Sequence, residues 1–117
     1  MLVCYVNDNK QKLLFGIVAI ILLFCYSGMQ ELVLRDNKLM KIPDVSIFKN
    51  LLVFDVSFNE IPSLNGLSKV SNTLKELYVS KNEVTKIEEI EHLHGLQILE
   101  LGSNRLRVCF QGFSSVI

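Results

Sequence analysis

Two carboxylates and a phenol recur at a regular interval in this chain. Asp55, Tyr78 and Glu100 follow one another at intervals of 23 and 22 residues, by subtraction of their numbers. If each lies on a neighbouring strand of one sheet, Asp55 and Glu100 are roughly 9 to 10 Å apart, at about 4.8 Å per strand. Such a carboxyl pair suits an inverting glycosidase. An open sheet face, however, gives neither a pocket nor the desolvation that raises one carboxyl pKa, so no enzyme is predicted.

Two histidines are the other residues that invite a chemical interpretation. His92 and His94 flank Leu93, but no Cys, Asp or third His stands at ligand spacing, so they are interpreted as convex-surface residues. The chain also lacks a nucleophile elbow and a phosphate-binding glycine loop. The sequence therefore predicts no catalytic residue, no metal site and no cofactor.

A repeat marked by asparagines positions these residues. The asparagines stand 22, 23 and 22 residues apart by subtraction, and each copy fits L-x-x-L-x-L-x-x-N-x-L: MQELVLRDNKLMKI, LLVFDVSFNEIPSL, LKELYVSKNEVTKI and LQILELGSNRLRVC. This is the leucine-rich-repeat pattern. The predicted fold is an α/β solenoid, with a short parallel sheet on the concave face and 3₁₀ or short helical turns on the convex side. The asparagines should stack into a structural ladder: Asn37, Asn59, Asn82 and Asn104.

Alternation along each strand divides the side chains between two faces. Leu34, Val56, Val79 and Leu101 should lie in the core, in adjacent rungs. In each strand one outward residue lies between two inward ones, and these outward residues form the central column of the concave face: Val33, Asp55, Tyr78 and Glu100. Acidic groups beside an aromatic ring suit a protein partner. The predicted partner-binding residues are Asp55, Tyr78, Glu100, Val33, Glu76 and Val53.

Composition restricts the choice of partner and compartment. The chain has 117 residues with 12 basic and 12 acidic side chains, so no net field favours nucleic acid. Its three cysteines are an odd number without a flanking cluster, and no Asn-x-Ser/Thr acceptor occurs. Both observations favour a reducing, intracellular setting for the repeats.

The N-terminal segment suggests the opposite setting. The uncharged run LLFGIVAIILLFCY extends from Leu13 to Tyr26 and follows Lys10 and Lys12. With the three residues after it, a helix would reach about 25 Å, against a hydrocarbon core of about 30 Å. The run is therefore interpreted as a hydrophobic helix. It could be a single-pass membrane anchor, a cleaved signal or an artefact that is not the original neighbour of the repeats.

The predicted array starts and stops abruptly. One 22-residue period before Met29 the inward positions fall on Asn7, Lys10 and Lys12, and the asparagine position falls on Phe15. The expected organisation is an N-terminal hydrophobic segment (1–28), four leucine-rich repeats (29–108) and an irregular tail (109–117).

Residues 29 to about 108 closely resemble the leucine-rich-repeat regulatory subunit of protein phosphatase 1, and look most like its plant relatives. The resemblance rests on LVLRDNKLMKIPDVSIFKNLLVFDVSFNEI, LKELYVSKNEVTKIEEIEHLHGLQ and ILELGSNRLR. It implies a non-catalytic binding protein in the cytoplasm or nucleus, whose concave face holds the phosphatase catalytic subunit. Asp55, Tyr78 and Glu100 match the family's contact column in character, and Val33 matches it less well. The alternative is a membrane-anchored, receptor-like repeat protein.

Overall fold

The strands in the described part of the chain form one parallel sheet. A computed structural model describes residues 28–107 together with the backbone of a short strand at 2–5. The strands are β1 (Leu2–Tyr5), β2 (Met29–Val33), β3 (Val53–Asp55), β4 (Glu76–Tyr78) and β5 (Ile98–Glu100). Their order in the sheet is the order in the chain, and every neighbouring pair is parallel. This is a leucine-rich-repeat-like arrangement.

The register of the sheet follows the repeat pattern residue by residue. Phe54 pairs with Leu32 on one side and with Leu77 on the other, and Leu77 pairs in turn with Leu99. Identical repeat positions therefore stack, which is the arrangement that buries one apolar stripe behind the sheet. Backbone hydrogen bonds continue past the strand ends, for example from the Val56 amide to the Tyr78 carbonyl at 2.9 Å.

The apolar stripe is the core, as the sequence predicts. Leu34, Val56 and Val79 are fully buried and Leu101 is 2% exposed. Phe54 and Phe48 are the largest of the buried side chains. Because full burial of one such side chain contributes about 1.5–3 kcal/mol, the stack supplies most of the stability of these repeats.

The connections opposite the sheet are short turns rather than long helices. Among the described residues they contain two 3₁₀ helices of three residues each, Ser68–Val70 and Ile90–His92, and no α-helix. Each 3₁₀ helix buries one apolar residue, Val70 or Ile90, against the core. The prediction of 3₁₀ turns after the strands holds for these two repeats.

The sheet begins one strand earlier than the predicted start at Met29. Strand β1 pairs with β2 so that Cys4 lies beside Leu32 and Tyr5 beside Val33. The interval between these partners is 28 residues, whereas the later repeats are spaced by 22 or 23 residues. With an interval of 28 residues, the sequence positions Cys4, Val6 and Asn9 correspond to Leu32, Leu34 and Asn37, the inward and asparagine positions of the first repeat. The assumption of a constant period therefore missed this strand.

Two of the predicted segments lie outside the described residues. These are the hydrophobic helix proposed for Leu13 to Tyr26 and the irregular tail at 109–117. Within the part of the chain that the structure describes, no helix is long and apolar enough to cross a membrane.

Candidate protein-binding site on the concave face

The ladder asparagines fix the ends of the strands that carry the site. Asn82 is 6% exposed, and its amide donates to the Val56 carbonyl at 2.9 Å and to the Val79 carbonyl at 3.1 Å. Its oxygen accepts a hydrogen bond from the Ile61 amide at 3.0 Å. Each side chain thus ties its own repeat to the preceding one. The same pattern occurs at Asn59 and Asn104.

The first ladder asparagine is also buried. Asn37 is 7% exposed, and its amide donates to the carbonyls of Leu34 at 2.9 Å and Arg35 at 3.3 Å. These bonds lie within its own strand end. Asn37 therefore holds the carboxyl end of β2 in the turn conformation that the later repeats share.

The residue before each ladder asparagine adopts a left-handed backbone conformation. The φ angles are 59° at Asp36, Phe58 and Lys81, and 57° at Ser103. This conformation turns the chain away from the sheet at the end of every strand. As a result, the outward residues of successive strands remain side by side at one level.

Asp55 lies at the middle of the central column and is largely surrounded. Its side chain is 14% exposed, and one oxygen accepts a hydrogen bond from the Ser57 amide at 2.9 Å. The other oxygen is 3.9 Å from the Arg35 guanidinium of the preceding repeat. The hydrogen bond from Ser57 therefore holds the carboxylate in one orientation, with the Arg35 guanidinium nearby.

Tyr78 lies beside Asp55 in the sheet register and is tied to its own strand. Its hydroxyl donates to a Glu76 carboxylate oxygen at 2.5 Å. This hydrogen bond, followed by burial and by the charges of Glu76, Glu100 and Asp55, raises the pKa of Tyr78 to about 12. Tyr78 is therefore a neutral phenol at physiological pH. Its ring is partly exposed, and its hydroxyl is held by the Glu76 carboxylate.

The remaining predicted residues differ in how much surface they offer. Glu100 is exposed, and Glu76 and Val53 are half-buried. Val33, by contrast, is only 7% exposed, so the end of the column nearest β1 offers little side-chain surface at that residue. The accessible part of the column therefore runs from Asp55 to Glu100.

These residues border an open depression of about 630 Å³ on the outward face of the sheet, the face predicted to be concave. Four carboxylates line it, against the two cations Arg35 and Lys75. The lining carboxylates are Glu31, Asp55, Glu76 and Glu100. The depression therefore carries a local excess of negative charge, although the whole chain has a formal net charge of zero. Such a surface is complementary to a partner with basic side chains.

One exposed aromatic residue at the border of this face was not singled out by the sequence pattern. Phe58 is 45% exposed, and the Arg35 guanidinium lies 5.4 Å from the centre of its ring. The signal that could have found it is positional, because the equivalent residues of the other repeats are Asp36, Lys81 and Ser103.

The histidines take part in no cluster of metal-binding groups among the described residues. His92 lies 3.8 Å from Glu91, with both side chains well exposed. No group of three His, Cys, Asp or Glu side chains in the described ranges could hold a metal ion.

Comparisons with known proteins agree with the resemblance seen in the sequence. Over 82 residues the chain is 79% identical to the "Protein phosphatase 1 regulatory inhibitor subunit PPP1R7 homolog" of Arabidopsis thaliana, a match that covers 70% of this chain and 25% of that protein. It is also 30% identical over 76 residues to the "187-kDa microtubule-associated protein AIR9" of the same plant, covering 63% of this chain and 4% of that protein. No family model matches.

The high identity to the first relative is the informative result. The chain spans about a quarter of that relative's length. The resemblance drawn from the repeat motifs is confirmed, and this chain is closely similar to part of a plant protein phosphatase 1 regulatory subunit.

Proposed function

We propose that this chain is a non-catalytic protein-binding module whose concave face binds the catalytic subunit of protein phosphatase 1. The observation that carries the proposal is the 79% identity to a protein described as a regulatory inhibitor subunit of that phosphatase. In this proposal the repeats form a curved solenoid, and the central column is its contact surface.

The geometry of the column supports a protein partner rather than a small substrate. The depression is open to solvent, so it is not an enclosed pocket in which a carboxyl pKa would be raised for acid catalysis. The Tyr78 ring lines the depression among carboxylates, and tyrosine is one of the residues enriched at protein interfaces. Asp55, Tyr78 and Glu100 are the main contacts, with Glu76 and Val53 beside them and Val33 contributing least.

Affinity should be lower than that of a full-length relative. Binding energy concentrates in a few anchor residues, and a surface one quarter the length of the relative presents fewer of them. The expected interaction is therefore weak and depends on ionic strength, since charged groups dominate the column.

The proposed compartment is the cytoplasm or nucleus. The support for this compartment is the 79% identity to a protein described as a phosphatase 1 regulatory inhibitor subunit. That similarity favours the phosphatase-binding function over a membrane-anchored receptor.

Calorimetric titration of the full chain with the phosphatase catalytic subunit tests the proposal. Glu100→Lys reverses an exposed charge in the column and should lower affinity about tenfold, or about 1.4 kcal/mol. Glu88→Lys makes the same change at an exposed convex position and should leave affinity unchanged. Absence of binding by the unmodified chain, or equal losses in both variants, would overturn the proposal.

A further inference from the structure

Phe58 is an unusual residue for its place in the fold. It stands at the border of the concave face, where the other three repeats carry a polar or charged residue. Nearly half of its surface is open to solvent, at 45%. Phe54, four residues earlier, is completely buried, so the apolar character of Phe58 makes no comparable contribution to the core. Its ring is available to something outside the repeats.

The backbone at Phe58 makes this choice of residue costly. With φ at 59°, the residue lies in the left-handed region, which Asn, Asp and Gly adopt with least strain and bulky residues disfavour. The same angle recurs before every ladder asparagine, so the bulky apolar side chain, and not the angle itself, sets Phe58 apart from the other repeats. An exposed phenylalanine in this conformation stabilises the free chain less than asparagine would.

Arg35 connects Phe58 to the central column. Its guanidinium carbon lies 5.4 Å from the centre of the Phe58 ring, and one of its nitrogens lies 3.9 Å from Asp55. Stacking on a ring leaves the in-plane N–H groups of a guanidinium free to bind a carboxylate bidentately. The 3.9 Å separation is too long for a strong hydrogen bond, and the Arg35 side chain is 55% exposed.

We propose that Arg35 and Phe58 form a rim contact of the phosphatase-binding surface, which receives an apolar side chain adjacent to a carboxylate of the catalytic subunit. The inference rests on the proposed function and adds a contact whose charge is opposite to that of the acidic column. The acidic column receives basic groups, whereas Arg35 receives an acidic one. Arg35 lies beside Asp55 and lines the same depression, which makes the rim continuous with the column, so one partner spans both.

A pair of asparagine substitutions separates binding from folding at this position. Phe58→Asn removes the ring but suits the left-handed backbone, so the free energy of unfolding should stay the same or rise. Its affinity for the catalytic subunit should fall at least about fivefold, because a ring flanked by a guanidinium is a typical anchor. Lys81→Asn makes the equivalent change one repeat later, also at φ 59°, and should keep the wild-type affinity. Phe58→Tyr keeps the ring and should also bind like wild type.

The outcomes distinguish this inference from the proposed function. If the unmodified chain binds and Phe58→Asn binds equally well, the rim contact is wrong and the column proposal stands. Equal losses in Phe58→Asn and Lys81→Asn would also overturn it, because they would indicate an effect of the turn. If the unmodified chain fails to bind the catalytic subunit, the proposed function fails, and the rim contact fails with it.

Discussion

Replacing Asn82 with alanine should destabilise the folded chain by about 2–3 kcal/mol. The side chain is 6% exposed and accepts from the Ile61 amide at 3.0 Å. Alanine leaves that buried N–H without its acceptor, which costs about 1–3 kcal/mol. The carbonyls of Val56 and Val79 still accept a hydrogen bond from Asn59 and Asn104, respectively. Losing the two hydrogen bonds that Asn82 donates to these carbonyls therefore adds less to the cost.

Urea denaturation followed by circular dichroism measures this cost. Asn72→Ala is the control, because Asn72 is exposed, and it should change stability by less than about 0.5 kcal/mol. Asn82→Asp separates the two halves of the interaction, since a carboxylate still accepts from Ile61 but no longer donates. If Asn82→Ala unfolds at the same urea concentration as wild type, the ladder does not hold adjacent repeats together.

Three further predictions follow from the core, the column and the first strand. Phe54→Ala should cost about 3–5 kcal/mol in the same denaturation assay, because the ring is fully buried; an effect below about 1 kcal/mol would refute its place in the core. Because Tyr78 has a folded-state pKa of about 12 against an ordinary 10.0, stability should fall between about pH 10 and 12, where the unfolded chain loses this proton first. Tyr78→Phe should weaken that fall, and an unchanged pH profile would refute the assignment. Deletion of residues 1–9 should accelerate hydrogen exchange at the amides of β2, and unchanged exchange would refute the β1 pairing.

The regular part of the fold could be predicted because each repeat encodes the same packing. Apolar residues at Leu34, Val56 and Val79 alternate with outward residues, and one buried stripe is the arrangement that satisfies every copy. Strand β1 could not be found in this way, since its distance from β2 breaks the constant interval on which the argument depended. A pattern search with variable spacing would have aligned Cys4 with Leu32.

The site was less predictable than the fold. Alternation identifies which residues face outward but not how much surface each keeps, so Val33 was placed in the column although it is 7% exposed. Phe58 was not singled out because it lies outside the alternating strand positions, directly before Asn59. Comparison with Asp36, Lys81 and Ser103 would have marked it as an apolar residue at a polar position, but its contact with Arg35 required the structure.

Hydroxyl-radical footprinting of the full chain with the phosphatase catalytic subunit is the most direct test of binding through the concave face. Radical attack on Tyr78 and on Ile98, which is 43% exposed beside the column, should fall when the catalytic subunit is added. Met40 is 61% exposed and is not among the residues that line the depression, so it provides an internal control and should react as before. Protection of Met40 with Tyr78 and Ile98 unprotected would contradict the account.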